Sequence, residues 1–127
     1  QKYAAAELLI YQNKDDQALQ ELNQLLNKYP SHNLEDEIYW SKSKIFREQA
    51  KPQQALEMLQ KIVRNHSTDI LGDDAYYTIA NIYENDLQDA EKAQENYGEF
   101  LKRYPGSENI AQARKNFRKQ RGDIINS

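Results

Sequence analysis

Cysteine is absent from this chain of 127 residues, and with it go disulfides, thiolate catalysis and cysteine-ligated zinc. The absence fixes no compartment, because a chain without thiols is stable in either redox environment. Glycine and proline are scarce, at 4 and 3. No glycine-rich loop exists to cradle a phosphate, and little interrupts long helical segments. Histidine is limited to His32 and His66, both read as lying in breaks between helices, and two loop histidines do not make a Ser-His-acid grouping. His66 falls in the column held elsewhere by Tyr29 and Tyr104, the place of a packing residue. No catalytic residue is expected, and the chain is not expected to be an enzyme.

No apolar run approaches the roughly 20 residues that cross a bilayer, and no signal-peptide pattern is present. Charge of one sign is not in excess either: 17 Lys and Arg stand against 20 Asp and Glu, a formal net charge of -3. That balance argues against nucleic acid or a charged membrane as a general partner. The acidic clusters Glu35-Asp36-Glu37 and Asp69, Asp73, Asp74 lack the loop spacing and closing Glu of a calcium hand, and read as helix-start acids. No metal and no cofactor are expected.

What the chain does have is helix formers, Gln, Glu, Lys, Ala and Leu, in a length suited to one domain with a continuous core. It also repeats itself. Ala18, Ala55 and Ala93 lie 37 and 38 residues apart. Each is followed by apolar residues at +4, +7 and +8: Leu22, Leu25, Leu26; Leu59, Ile62, Val63; Tyr97, Phe100, Leu101. Eleven residues after each Ala the block closes, at Tyr29-Pro30, His66-Ser67 and Tyr104-Pro105. A period of this size marks a helical array, whose units bury their apolar faces by stacking on one another.

Start and stop signals divide the chain into seven helices. The first spans about Lys2 to Asn13, the second starts at Asp15 or Asp16 and ends near Tyr29, and the third runs from Leu34 to Gln49. Pro52 opens the fourth, which reaches Asn65; the fifth runs from Gly72–Asp74 to Asn85, followed by a loop one residue longer than its counterpart. The sixth occupies Ala90 to Tyr104, and Ser107 and Gly122 are placed to cap and end the seventh. Gln1 falls inside a helical pattern already under way, so the expectation is the C-terminal part of a longer protein.

With the helices in place, the residues resemble the tetratricopeptide repeat family. That signature sets an aromatic, Leu-Gly three residues on, then Tyr, with Ala, an aromatic and Pro in a second helix. The third unit reads Tyr76-x-x-Ile79-Ala80-x-x-Tyr83, then Ala93-x-x-x-Tyr97 and Pro105. The second reads Tyr39-x-x-Lys42-Ser43-x-x-Phe46 and Ala55-x-x-x-Leu59, with Ser67 replacing the Pro and Lys42 at an expected apolar place. The first keeps Ala5-Ala6-x-x-Leu9, Ala18-x-x-x-Leu22 and Pro30. The resemblance implies an all-α fold, a right-handed α-solenoid of about three helix pairs in units 1–33, 34–70 and 71–107, plus a C-terminal capping helix, 108–121, in one domain.

It also implies a non-enzymatic scaffold that binds a protein or peptide. In the family the residue after each core aromatic, and those four, seven and eight further on, face a concave groove. Carried over, the partner-binding residues are Tyr3, Glu7, Ile10 and Tyr11; Trp40, Lys44, Arg47 and Glu48; Tyr77, Asn81, Glu84 and Asn85. Tyr3, Trp40 and Tyr77 form a column at intervals of 37. Two other functions fit the same residues: a structural spacer within a larger protein, and a glycan-binding surface built on the aromatic column. From Gly106 onward the charge is +3, leaving -6 for the rest, so Arg114, Lys115, Arg118 and Arg121 form a second candidate surface for an acidic partner or anionic lipid. The blocks Lys102-Arg103-Tyr104-Pro105-Gly106-Ser107 and Asp69 to Ala75, with three extra residues per unit, resemble bacterial envelope members of the family. That implies the periplasmic side of the cell envelope, with the cytoplasm as the other possibility.

Overall fold

A computed structural model describes residues 14–28, 32–66 and 70–122. The expected first helix lies outside them. Every regular element in the described residues is helical: α1 (Asp15–Lys28), α2 (His32–Glu48), α3 (Pro52–His66), α4 (Ile70–Asn81) continued by a π turn (Ile82–Asp86), α5 (Ala90–Arg103) and α6 (Ile110–Arg121). The all-α class expected from the repeat pattern is what the chain adopts. Two compact units divide it, Gln1–Met58 and Leu59–Ser127.

In the first unit α1 and α2 form a hairpin. Asp15 and Asp16 sit in the first turn of α1 and Lys28 in its last, each matched to the dipole. Ala18, Leu22 and Leu25 recur at helical spacing and are buried with Ile38 and Ile45 of α2, while Leu19, Leu26 and Leu34 close the cluster. In the second unit Ala80, Ala93, Tyr97, Phe100 and Ala113 form a core shared by α4, α5 and α6. Asp89 starts α5 by accepting a hydrogen bond from the Lys92 N–H at 3.1 Å. Ala18, Ala55 and Ala93, the residues that set the period, have no exposed surface.

The two described junctions between a first and a second helix differ by one residue, and the structure shows where it goes. After α2 the N–H of Lys51 bonds Phe46 C=O at 2.8 Å and that of Ala50 bonds Arg47 C=O at 3.0 Å, a Schellman closure with Ala50 left-handed at φ 58°. After α4 the bond from Asp89 to Tyr83 at 2.7 Å is the counterpart of Lys51 to Phe46, and that from Leu87 to Ile82 at 2.9 Å is the counterpart of Gln49 to Ile45, each spanning one residue more, with Gln88 left-handed at φ 52°. The extra residue is thus taken up inside the helix as the π turn, and the loop after the left-handed residue is no longer than its counterpart. This corrects the expected longer loop: hydrogen-bond closure fixes the loop geometry, so the helix widens instead.

Two smaller corrections concern helix ends. His32 and His66 are helical end residues of α2 and α3 rather than loop residues. Ser107 does not cap α6; its Oγ accepts the Asn109 N–H at 3.1 Å one turn earlier, and Asn109 occupies the N-cap without a side-chain cap bond. Gly122 does end α6, at φ 85°.

Ala50 in a left-handed conformation is a small built-in cost, since an L side chain there is disfavoured by about 1–2 kcal/mol. Ala50→Gly should raise stability by about 0.5–1 kcal/mol after allowing for the greater freedom of glycine when unfolded. A urea midpoint unmoved by the change would contradict the Schellman assignment.

Candidate partner-binding site

On α2 the candidate residues Trp40, Lys44 and Arg47 follow at i, i+4 and i+7, so one helical face carries an aromatic and two cations. Trp40 and Arg47 are half-buried, and Lys44 and Glu48 are exposed. Behind this row Ile38 and Ile45 are buried in the core shared with α1, and Ser41 is buried as well. Ser43, one of the small residues of the repeat pattern, is also buried and donates to the Trp40 C=O at 2.6 Å. Tyr3, Glu7, Ile10 and Tyr11 lie outside the described residues.

The matching row on α4 has different surroundings. Tyr77 is half-buried against the rings of Tyr97 and Phe100, with centroids 6.1 and 5.5 Å away. Asn81 Oδ1 and Glu84 Oε1 both approach the Tyr97 hydroxyl, at 2.8 and 2.6 Å, and share its single proton. Asn116 of α6 donates to the same hydroxyl oxygen at 3.1 Å. Glu84 Oε2 accepts from Gln120 at 2.9 Å and pairs with Lys119 at 3.5 Å, with only 10% of the Glu84 side chain exposed. Glu84 lies in the π turn, so the widened turn belongs to the stretch that presents this carboxylate to α5 and α6. Asn81 and Glu84 therefore make contacts within the unit, while Asn85 is exposed.

Burial and the hydrogen bond to Glu84 push the Tyr97 hydroxyl far above the usual tyrosine range. Tyr39, Tyr76 and Tyr104 are raised as well, each first by burial. A pKa raised on folding adds stability that is whole below about pH 10, where unfolded tyrosine ionises, and is lost as pH climbs further. Stability should therefore fall steeply above about pH 10, and Tyr97→Phe should flatten that fall, read from urea midpoints across the alkaline range. An equal alkaline slope in the variant would count against the Tyr97 network.

A surface cleft of about 370 Å³ lies in the second unit, lined by Gln60, Val63 and Arg64 of α3, Tyr76, Ile79 and Tyr83 of the α4 stretch, and Asn96 of α5. Sequence reasoning did not single it out, because Tyr76, Ile79 and Tyr83 are signature positions and read as core. Only Ile79 of the three is buried. Among the described residues no group of acids and histidines is arranged to hold a metal ion, and no helix is long and apolar enough to cross a membrane.

Comparison with known families decides the class of protein. The tetratricopeptide repeat family model matches residues 2–32 and 74–107, which together make up half of the chain. The chain belongs to the tetratricopeptide repeat family. The matched segments flank the unit in which Lys42 and Ser67 depart from the pattern. None of the curated proteins matches the chain. Tetratricopeptide repeats generally mediate protein–protein interactions and are typically non-enzymatic scaffolds.

Proposed function

We propose that this tetratricopeptide chain is a non-enzymatic scaffold that holds a segment of a partner protein along its first-helix row, with Trp40, Lys44 and Arg47 at the centre. The observation that carries the reading is the single face of α2 on which these three follow one another, backed by a buried row that keeps the helix rigid. Aromatic and arginine side chains dominate recognition energetics, and the two cations on this face favour a partner that sets carboxylates directly against them. Thirty-seven residues before Trp40, Lys44, Arg47 and Glu48 the sequence carries Tyr3, Glu7, Ile10 and Tyr11. Tyr77, Asn81 and Glu84 contribute less, because their polar atoms or rings already have partners within their own unit. We place this activity on the periplasmic side of a bacterial envelope, on the strength of the sequence blocks that resemble envelope members.

Trp40→Ala should cost about 2 kcal/mol or more of partner affinity, the usual loss for a central aromatic. The test compares what the parent and the variant retain from host lysate at matched far-UV circular dichroism. Arg47→Glu should weaken retention in a salt-dependent way. Retention of the same species in the same amounts by both variants would remove the α2 row from consideration.

A further inference from the structure

In the second unit α6 packs on α5 and reaches α4 through side chains at its two ends. Asn109, at the start of α6, donates to Asp74 near the start of α4 at 3.0 Å. At the other end Gln120 and Lys119 reach Glu84 at 2.9 and 3.5 Å. Starts meet starts and ends meet ends, so α6 runs parallel to α4, in the place and register of the first helix of another unit. Phe117 sits against Gly98 of α5, where an added Cβ would come within 3.0 Å of the ring, so α6 is seated on α5 as well.

From the sequence α6 is expected to cap the array and to carry a candidate basic surface; its register gives it a first-helix row of its own. Thirty-seven residues on from Tyr77, Asn81 and Glu84 stand Arg114, Arg118 and Arg121. All three arginines are exposed. Arg114, Arg118 and the neighbouring Lys115 form no ion pair among the described residues. The guanidinium of Arg121 lies 5.3 Å from the Phe117 ring, which braces it along the helix. On α4 the carboxylate of this row is met by a lysine from the docked helix. On α6 the signs are reversed, with three guanidinium groups at i, i+4 and i+7.

We infer that the Arg114-Arg118-Arg121 face of α6 is a second docking surface, separate from the α2 row, and that its occupant is an acidic helix of a partner protein. Charge complementarity selects the occupant. A helix with carboxylates at i, i+4 and i+7 places one opposite each guanidinium, as Lys119 is placed opposite Glu84, and planar guanidinium forks bind carboxylates in two-bond pairs. Parallel alignment of the incoming helix, as α6 aligns on α4, matches the spacing along the whole row.

The probe is a fluorescein-labelled, alanine-based helical peptide with Glu at i, i+4 and i+7, alongside a twin in which each Glu is Gln, titrated against the full chain by fluorescence anisotropy. The Glu peptide should bind, more weakly as salt rises, and the Gln twin should not. Replacing Arg114, Arg118 and Arg121 together by Glu should lower Glu-peptide affinity at least about tenfold, with circular dichroism and thermal midpoint unchanged; Arg→Lys at the same places should restore part of it. Trp40→Ala should leave peptide binding intact, which keeps this surface distinguishable from the α2 row. Equal binding of the Gln twin, or undiminished Glu-peptide binding by the triple variant, would overturn the inference. So would binding to phosphatidylglycerol vesicles in place of the peptide, which makes the occupant a lipid surface. Self-association of the chain abolished by the same triple variant, without peptide binding, would also overturn it and make the occupant a second copy.

Discussion

Phe100→Ala is expected to lose about 3–5 kcal/mol of stability, enough to leave the second unit unfolded in a large fraction of molecules. Phe100 has no exposed surface. Its ring lies 5.5 Å from Tyr77 and 5.6 Å from Tyr104 by centroid, so it bridges α4 and the closing turn of α5. Truncation removes the ring's transfer free energy and leaves a cavity that cannot readily collapse, because Tyr97 beside it is held by Asn81, Glu84 and Asn116. Trp40, the single tryptophan, lies in the first unit and reports on that unit separately. Urea unfolding followed by Trp40 fluorescence and by far-UV circular dichroism should give separated midpoints in the variant. Coincident midpoints at parent values would show that Phe100 is not the centre of this core.

Ending the chain at Ser107 is the second large change. α6 contributes the fully buried Ala113 and the half-buried Ile110 and Phe117 to the core of the second unit. It also supplies Asn109 to Asp74, Asn116 to Tyr97, and Gln120 and Lys119 to Glu84. Burial of these side chains and about three net hydrogen bonds together come to about 4 kcal/mol. Their removal uncovers Tyr97 and leaves the Glu84 carboxylate beside it short of donors. The truncated protein should bind an apolar dye, melt lower and associate at concentrations where the parent does not. A truncated chain that melted and sedimented like the parent would make α6 dispensable to the fold.

The Tyr97 network explains why part of the candidate row could not be read from sequence. Spacing places Tyr77, Asn81 and Glu84 on one helical face, and that much is a property of the helix period. Whether the face is open depends on what packs over it. Tyr97 reads as a core aromatic of the repeat pattern, and nothing in its spacing says that its hydroxyl reaches Asn81 and Glu84. The cleft around Tyr76 and Tyr83 was missed for the converse reason: signature residues read as core, whereas the gap beside them depends on how closely α3, α4 and α5 approach.

The sequence by itself determined the helical class, the boundaries of the described helices to within a few residues, the buried alanines at the repeat interval, the family, and the termination of α6 by Gly122. These are set by local terms, namely helix propensity, dipole and cap chemistry, and the periodicity of apolar side chains, all of which act over a few residues. Only the tertiary structure decided that the extra residue after Tyr83 widens the helix into a π turn, that Glu84 faces α6, and that α6 lies parallel to α4 with its arginines outward. These depend on pairing between residues some 35 positions apart, where side-chain packing and hydrogen-bond closure must be satisfied together, and no local pattern carries that information.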